Sequence, residues 1–131
     1  MQKYIVGIDG FRSGWVAIKI DEKAQFSISK HVDFTSIFKS YPDGDKYLVD
    51  MVIGLADKNH SRVIENLARQ KLKPNRTSSV FTPPGREAVY EKTYEAGKEK
   101  NKEILGKSFS IQSWNIVPKI REVDQFILEN K

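Results

Sequence analysis

The sequence predicts an α/β fold, a mixed sheet built from a three-strand antiparallel meander and a parallel fourth strand, with helices packed around it. Three observations predict it. Short apolar segments separated by turn-forming or charged breaks occupy the chain between Lys3 and His31. A stripe at helical spacing follows, from Phe34 to Tyr41, and after it comes another apolar segment around Asp50. A strand reached through a helix is free to lie parallel to the first, whereas strands joined by tight loops pair antiparallel.

The first strand is expected over Lys3 to Asp9. A short loop bounded by Gly10 and Gly14 hands over to Gly14-Trp15-Val16-Ala17-Ile18-Lys19-Ile20, its antiparallel partner. The third strand alternates, with Phe26 and Ile28 to one side and Ser27, Ser29 and His31 to the other. Asp33 is placed to cap a helix in which Phe34, Ile37, Phe38 and Tyr41 form one apolar stripe, and Pro42-Asp43-Gly44 ends it. The strand Tyr47 to Leu55 follows. Beyond Gly54 the pattern turns helical: Ser61 is a candidate cap, and Val63, Ile64, Leu67, Ala68 and Leu72 are expected to face the core, with Arg62, Glu65, Asn66 and Arg69 turned away. A loop from Lys73 to Ser79 leads to Val80-Phe81-Thr82, and Pro83-Pro84-Gly85 is expected to open another helix. Arg86 to Leu105 reads as charged helix with Gly97 a weak point and Gly106 a stop. In the last stretch, Ser110 to Asn130, Ile116, Ile120, Val123 and Ile127 make a packing stripe, and Pro118 is expected to start a new helix or kink this one.

The chemistry is concentrated in a pair of carboxylates. Asp9 interrupts Tyr4-Ile5-Val6-Gly7-Ile8, and Asp50 interrupts Tyr47-Leu48-Val49 and Met51-Val52-Ile53. Both runs read as buried strands, and a buried carboxylate needs compensation. Two carboxylates on neighbouring strands repel each other, and a divalent cation between them is the usual relief. Asp9-Gly10 also fits a turn opening, with Phe11-Arg12-Ser13-Gly14 as the hairpin loop; Asp50, with no Gly, Pro or Asn beside it, does not.

Composition bounds the rest. At 131 residues, 39% hydrophobic and 30% charged, the chain is expected to form one globular domain, residues 1–131. No apolar run approaches the ~20 residues that cross a bilayer, and Met1-Gln2-Lys3 leads straight into a strand, so neither a membrane span nor a signal peptide is expected. With no cysteine there is no disulfide framework or thiolate metal site, and a cytoplasmic location is the default. Lys and Arg total 22 against 17 Asp and Glu, a formal charge of +5, which suits a nucleic-acid partner; yet Lys71 to Arg76 is the densest cluster and Glu91 to Glu103 interleaves both signs like a solvated helix face. His31 and His60 have no second ligand at a helical or strand spacing and read as surface residues. Trp15, at a strand start, is read as core in preference to a base-stacking platform. The absence of a Cys nucleophile, a Gly-x-Ser-x-Gly elbow and a Walker loop leaves no support for side-chain nucleophilic catalysis or that mode of phosphate binding.

A three-strand meander, a helix and a strand bearing a second carboxylate form the opening half of the RNase H-like fold. The motifs go further. Gly7-Ile8-Asp9-Gly10 with Gly14-Trp15-Val16, Asp50-x-x-Ile53-Gly54-Leu55, Arg62-x-x-Glu65-x-x-Ala68-Arg69, Ser79-Val80-Phe81 with Pro84 and Arg86, and Ser110-x-Gln112-x-Trp114 with Lys119-Ile120-x-Glu122-Val123-Asp124 occur in order. This series resembles the family of predicted RNase H-like nucleases known as domain-of-unknown-function family four-two-nine, from about Val6 to Phe126. Val52 stands where that family usually has Pro, and Glu65 where it usually has Asp. The family continues past the Glu-Val-Asp helix into a segment with further acidic residues, so the resemblance implies a fold incomplete at its C-terminus, with the Asp50 strand as an exposed edge.

The resemblance implies a metal-dependent nuclease in which Asp9 and Asp50 are catalytic and hold Mg²⁺ or Mn²⁺. Arg86, Arg62, Arg69 and Lys119 are the candidates for nucleic-acid or phosphate binding, at the strand ends where ligands sit in open α/β sheets. Gln112, Glu122 and Asp124 are candidates to support the metal ligands from behind. Two other readings stay open: a non-catalytic subunit acting by association, as a homo-oligomer or with a separately encoded C-terminal half, and a nucleotide-binding protein whose Asp9-Gly10-x-x-x-Gly14 hairpin is similar to that of actin-like ATPases.

Overall fold

The computed structural model describes residues 3–131, so Met1 and Gln2, on which part of the no-leader expectation rests, lie outside the described residues. The chain divides into two compact units, Met1–Met51 with Glu122–Lys131, and Val52–Arg121. Each is described by itself.

The first unit is a four-stranded sheet with β1 (Tyr4–Phe11), β2 (Gly14–Asp21), β3 (Phe26–His31) and β4 (Lys46–Asp50) in the order β3-β2-β1-β4. β1 pairs antiparallel with β2 and parallel with β4, and β2 pairs antiparallel with β3. This is the mixed sheet that the sequence pattern predicts. β1 runs in register through Phe11↔Gly14, leaving Arg12 and Ser13 as the turn. Gly14 is required there: a Cβ would lie 2.2 Å from the backbone oxygen of His31.

Helix α1 (Phe34–Ser40) is capped as expected, Asp33 accepting from the Ser36 N–H at 2.8 Å. It packs on one face of the sheet together with the last turns of helix α5 (Ile111–Glu129). Val6, Ile8, Trp15, Ala17, Phe34, Ile37 and Val123 form the buried cluster, with Phe38 stacked on Phe126 at 4.2 Å between ring centroids. Full burial of a side chain of this size contributes roughly 1.5–3 kcal/mol. Trp15 is wholly buried, as the core reading expects.

On the opposite face of the sheet the described apolar residues are exposed. Ile5, Ile18, Ile20, Phe26, Ile28 and Leu48 all lie on it, with Phe26 at 70% and Leu48 at 60% exposure. The apolar runs of β1 and β4 therefore do not mark strands buried on both sides; alternate residues of each run face outward. Ser29 and His31, on the polar side of β3, turn toward α1 instead, and Ser29 Oγ meets both His31 Nε2 (2.8 Å) and the Tyr41 hydroxyl (2.7 Å). His31 is thus half-buried in a hydrogen-bonded network, a correction to its surface assignment.

The second unit contains α2 (Ile64–Lys71), a 3-10 turn (Thr77–Ser79), α3 (Arg86–Val89), α4 (Tyr94–Leu105) and the first part of α5. Here α2 corrects the expectation. Val63, Ile64 and Leu67 are more than half exposed, whereas Arg62, Glu65 and Arg69 are the half-buried side. Ser61 does not cap it; Val63 precedes the first turn without a side-chain cap. Pro83, Pro84 and Gly85 are buried, Gly85 is extended, and the helix begins only at Arg86. The charged stretch breaks at Tyr90, and α4 ends at Gly106 in the left-handed conformation, φ 75°. Gly97 is a packing requirement as well as a weak point, because a Cβ would sit 3.0 Å from Trp114 and 3.3 Å from Phe109. α5 runs through Pro118 as one helix. No helix among the described residues is long and apolar enough to cross a membrane.

Candidate metal and phosphate site

The strand alternation that sends Val6 and Ile8 into the core sends Asp9 outward, and in β4 the same alternation turns Val49 inward and Asp50 outward. The parallel register is Asp9↔Asp50. The two carboxylates therefore share one face of adjacent strands whose axes are about 4.8 Å apart. Asp9 sits inside the ladder, opposite Val16, so it is a strand residue and not a turn opener. Both carboxylates are exposed, a correction to the expectation of burial: the face they occupy is the one whose described apolar residues are exposed. They border a shallow depression of about 440 Å³ lined by Gly7, Ile8, Asp9, Leu48, Val49 and Asp50. Its floor is open above Gly7, where an added Cβ would meet nothing within 4 Å.

Among the described residues no group of three or more His, Cys, Asp or Glu side chains is placed to hold a metal ion. The donor set at Asp9 and Asp50 fits a single hard divalent cation completed by water or phosphate oxygens, since Mg²⁺ is commonly held by one or two carboxylates. It does not fit an ordered metal pair, which needs more bridging and terminal carboxylate oxygens.

Glu122 has a defined place in the first unit. Its carboxylate accepts from the Trp15 indole N–H (3.3 and 3.2 Å) and from the backbone N–H of Phe34 (3.0 Å), in the first turn of α1. It ties β2 and α1 to α5, and none of its described bonds reaches Asp9 or Asp50. Asp124 is buried on the same helix, 4% exposed. Gln112 is exposed in the first turn of α5, and Lys119 is half-buried in mid-helix.

The arginines belong to the second unit, where each is fastened to protein groups. Arg62 pairs with Glu65 (Nη2 to Oε1, 2.6 Å) and donates to the carbonyl oxygens of Ile53 (2.8 Å) and Gly54. Burial raises the Glu65 pKa, but the bond and charge of Arg62, with a backbone bond and Arg69, outweigh it and hold the carboxyl below its ordinary range. Arg69 reaches the Val80 carbonyl (3.3 Å) and the Thr82 hydroxyl. Together these side chains line a cavity of about 150 Å³ with Ser61, Asn66 and Lys107. Arg86 lies 3.3 Å from Asp57 Oδ2.

Asp57 is a residue that the sequence reading passed over. It accepts from the backbone N–H groups of Asn59 and His60 at 2.8 Å and stands 2.9 Å from His60 Nδ1. The Asn59 N–H bond first, then His60, hold its carboxyl below the ordinary carboxylate range. The turn-forming run Asp57-Lys58-Asn59-His60 carried that signal, because Asp side chains close such turns on the backbone two residues on. A second feature missed is a hydroxyl-rich cavity of about 370 Å³, where the Val80–Pro83 segment meets Phe109, Ser110 and Ser113.

The sheet order and its one parallel pairing define an α/β protein of RNase H-like architecture. The profile of the family described as Protein of unknown function (DUF429) matches residues 7–131, and the chain belongs to that family. No curated protein and no solved structure matches the chain.

Proposed function

We propose that the chain is a metal-dependent hydrolase of phosphodiester bonds, acting on DNA or RNA, in which Asp9 and Asp50 hold one Mg²⁺ or Mn²⁺. The observation that supports this reading is the Asp9↔Asp50 register, which sets two carboxylates side by side at an open depression. A bound ion there supplies positive charge for a phosphate oxygen and lowers the pKa of a coordinated water. Asp9 and Asp50 contribute carboxylate oxygens, and Gly7, with no side chain, leaves room for a phosphate above the strand. Arg62 and Arg69 act in this reading by holding the 53–54 turn and the 80–82 segment, since their guanidinium groups are already engaged. Arg86, itself paired with Asp57, and Lys119 are the remaining sequence candidates proposed to meet nucleic acid, neither of them as an unpaired cation.

Calorimetric titration with Mn²⁺ tests the site: wild type binds with about one ion per chain, Asp50→Asn does not, and Mn²⁺-stimulated cleavage of nucleic acid disappears in Asp9→Asn. Equal binding by wild type and Asp50→Asn, or no binding by either, overturns the reading. A second reading, association, is favoured by the exposed apolar face and by β4 standing last in the order of the described strands, a surface of the kind that natural proteins usually cover. The occupant is a second copy or a separately encoded C-terminal half. A nucleotide site in the β1–β2 hairpin has no comparable support, because the ladder closes on a two-residue turn.

A further inference from the structure

We propose that two copies of this chain pair through β4, antiparallel and centred on Leu48, so that Lys46 of each copy faces Asp50 of the other. β4 ends the sheet order and pairs with β1 alone among the described strands. The Tyr4 C=O of β1 faces β4, where it accepts from the Asp45 N–H at 2.8 Å. Strand alternation turns Val6 and Ile8 the same way, and the register Ile5↔Lys46 then sets the N–H and C=O groups of Lys46, Leu48 and Asp50 against β1 and turns those of Tyr47 and Val49 outward.

An antiparallel partner bonds best when outward-facing residues oppose outward-facing residues. A twofold axis through any of the five residues satisfies this. Only the axis through Leu48 pairs both outward-facing residues with each other, Tyr47 with Val49, whereas an axis through Tyr47 or Val49 sets a charged end against Leu48. Centring on Lys46 sets ammonium against ammonium, and centring on Asp50 sets carboxylate against carboxylate; like charges directly opposed are destabilising. Centring on Leu48 opposes each Lys46 to the Asp50 of the other copy, twice by symmetry, with Leu48 against Leu48 between them. The segment Lys46-Tyr47-Leu48-Val49-Asp50 is therefore self-complementary in one register. It contains no Pro to blunt the edge. Leu48, 60% exposed, lies on the same face as Ile5, Ile18 and Ile20, so the joint carries the apolar band from one sheet into the next. The interface is isologous and closes on itself. Each Asp9–Asp50 pair gains a lysine ammonium from the other copy. The pairing does not depend on metal binding at Asp50.

The test is sedimentation velocity over a concentration series, in EDTA so that metal plays no part. Wild type is expected to dimerise. Lys46→Asp and Asp50→Lys, each creating two like-charge oppositions, are each expected to raise the dimer dissociation constant roughly tenfold or more. Mixed in equal amounts, the two variants are expected to form a heterodimer, because a chain with two acidic strand ends then faces one with two basic ends. The double variant Lys46→Asp/Asp50→Lys, with the signs exchanged, is expected to dimerise again, and far-UV circular dichroism checks that every variant is folded. A wild type that stays monomeric, a dimer indifferent to both single variants, or a mixture of folded variants that stays monomeric each overturns the proposal.

Discussion

Glu122→Ala is expected to be among the most damaging single truncations in the first unit, although the residue is only half-buried. The side chain accepts from the Phe34 backbone N–H at 3.0 Å and from the Trp15 indole at 3.2 Å, and both of those residues are at most 3% exposed. Orphaning a buried donor costs about 1–3 kcal/mol, and losing a charge-assisted acceptor for the indole adds about 1 kcal/mol. The carboxylate also opposes the positive end of α1. A total of roughly 2–4 kcal/mol is a large share of the 5–15 kcal/mol that typically holds a domain. With a urea slope of about 1–3 kcal/mol/M, the midpoint should fall by about 1–2 M in unfolding followed by Trp fluorescence. Glu122→Gln keeps an oxygen acceptor and should cost about 1 kcal/mol. An alanine variant within about 0.5 kcal/mol of wild type would refute the capping role.

Other perturbations separate the features of the two units. Gly14→Ala forces its Cβ within 2.2 Å of the His31 carbonyl oxygen, so β2 and β3 must separate locally; a loss of more than about 2 kcal/mol in urea unfolding is expected, and a neutral result would mean that the ladder is looser than described. Ile64→Gln with Leu67→Gln, on the exposed side of α2, should leave stability within about 0.5 kcal/mol per site; a loss of 2 kcal/mol or more per site would show that this face is buried in the folded protein. Glu65 titrates below its ordinary value in the folded state, so its contribution is present above the unfolded pKa of about 4.3 and is lost as pH falls through the lower, folded value. Comparing urea midpoints at neutral pH and near pH 3, Glu65→Gln should show a smaller acid-induced fall than wild type, and an equal fall would contradict the Arg62 pairing.

Element type and order were legible because they depend on local chemistry. Asp33 caps α1, Gly106 ends α4 with a positive φ, and the helix between β3 and β4 makes the Asp50 strand parallel to the first, which brings Asp9 and Asp50 opposite each other. Facing was not legible. Periodicity shows that Val63, Ile64 and Leu67 share a stripe, but not which side of that stripe meets the protein; Arg62, Glu65 and Arg69 face inward because Ile53, Gly54, Val80 and Thr82 offer them oxygen atoms from distant parts of the sequence. The same limit explains Asp9. The run Ile5-Val6-Gly7-Ile8 contains apolar residues on both sides of the strand, and such a run reads as doubly buried whether or not a second layer is present. Glu122 carried no sequence signal of its role, since its partners are 107 and 88 residues away.

Asp50 belongs to both proposals, as metal ligand and as the counter-ion of a lysine from a second copy, and this shared residue makes them jointly testable. If one carboxylate serves both, cation binding and dimerisation are linked, and the linkage is reciprocal: saturating the two equivalent sites with Mn²⁺ weakens the dimer by the square of the factor by which dimerisation weakens Mn²⁺ binding at each site. Lys46 of the same copy lies four residues along the strand from Asp50, about 13 Å away, beyond the Debye length at physiological salt, so Lys46→Asp perturbs the Asp9–Asp50 pair of its own chain only weakly. At protein concentrations where wild type is dimeric, Lys46→Asp should therefore bind Mn²⁺ more tightly than wild type, and at high dilution the two should converge. Sedimentation in EDTA and in Mn²⁺ reads the other half of the linkage. A dimer fraction unchanged by Mn²⁺ that calorimetry shows to be bound would mean that Asp50 is not shared, and the lysine of the second copy would then lie clear of the metal.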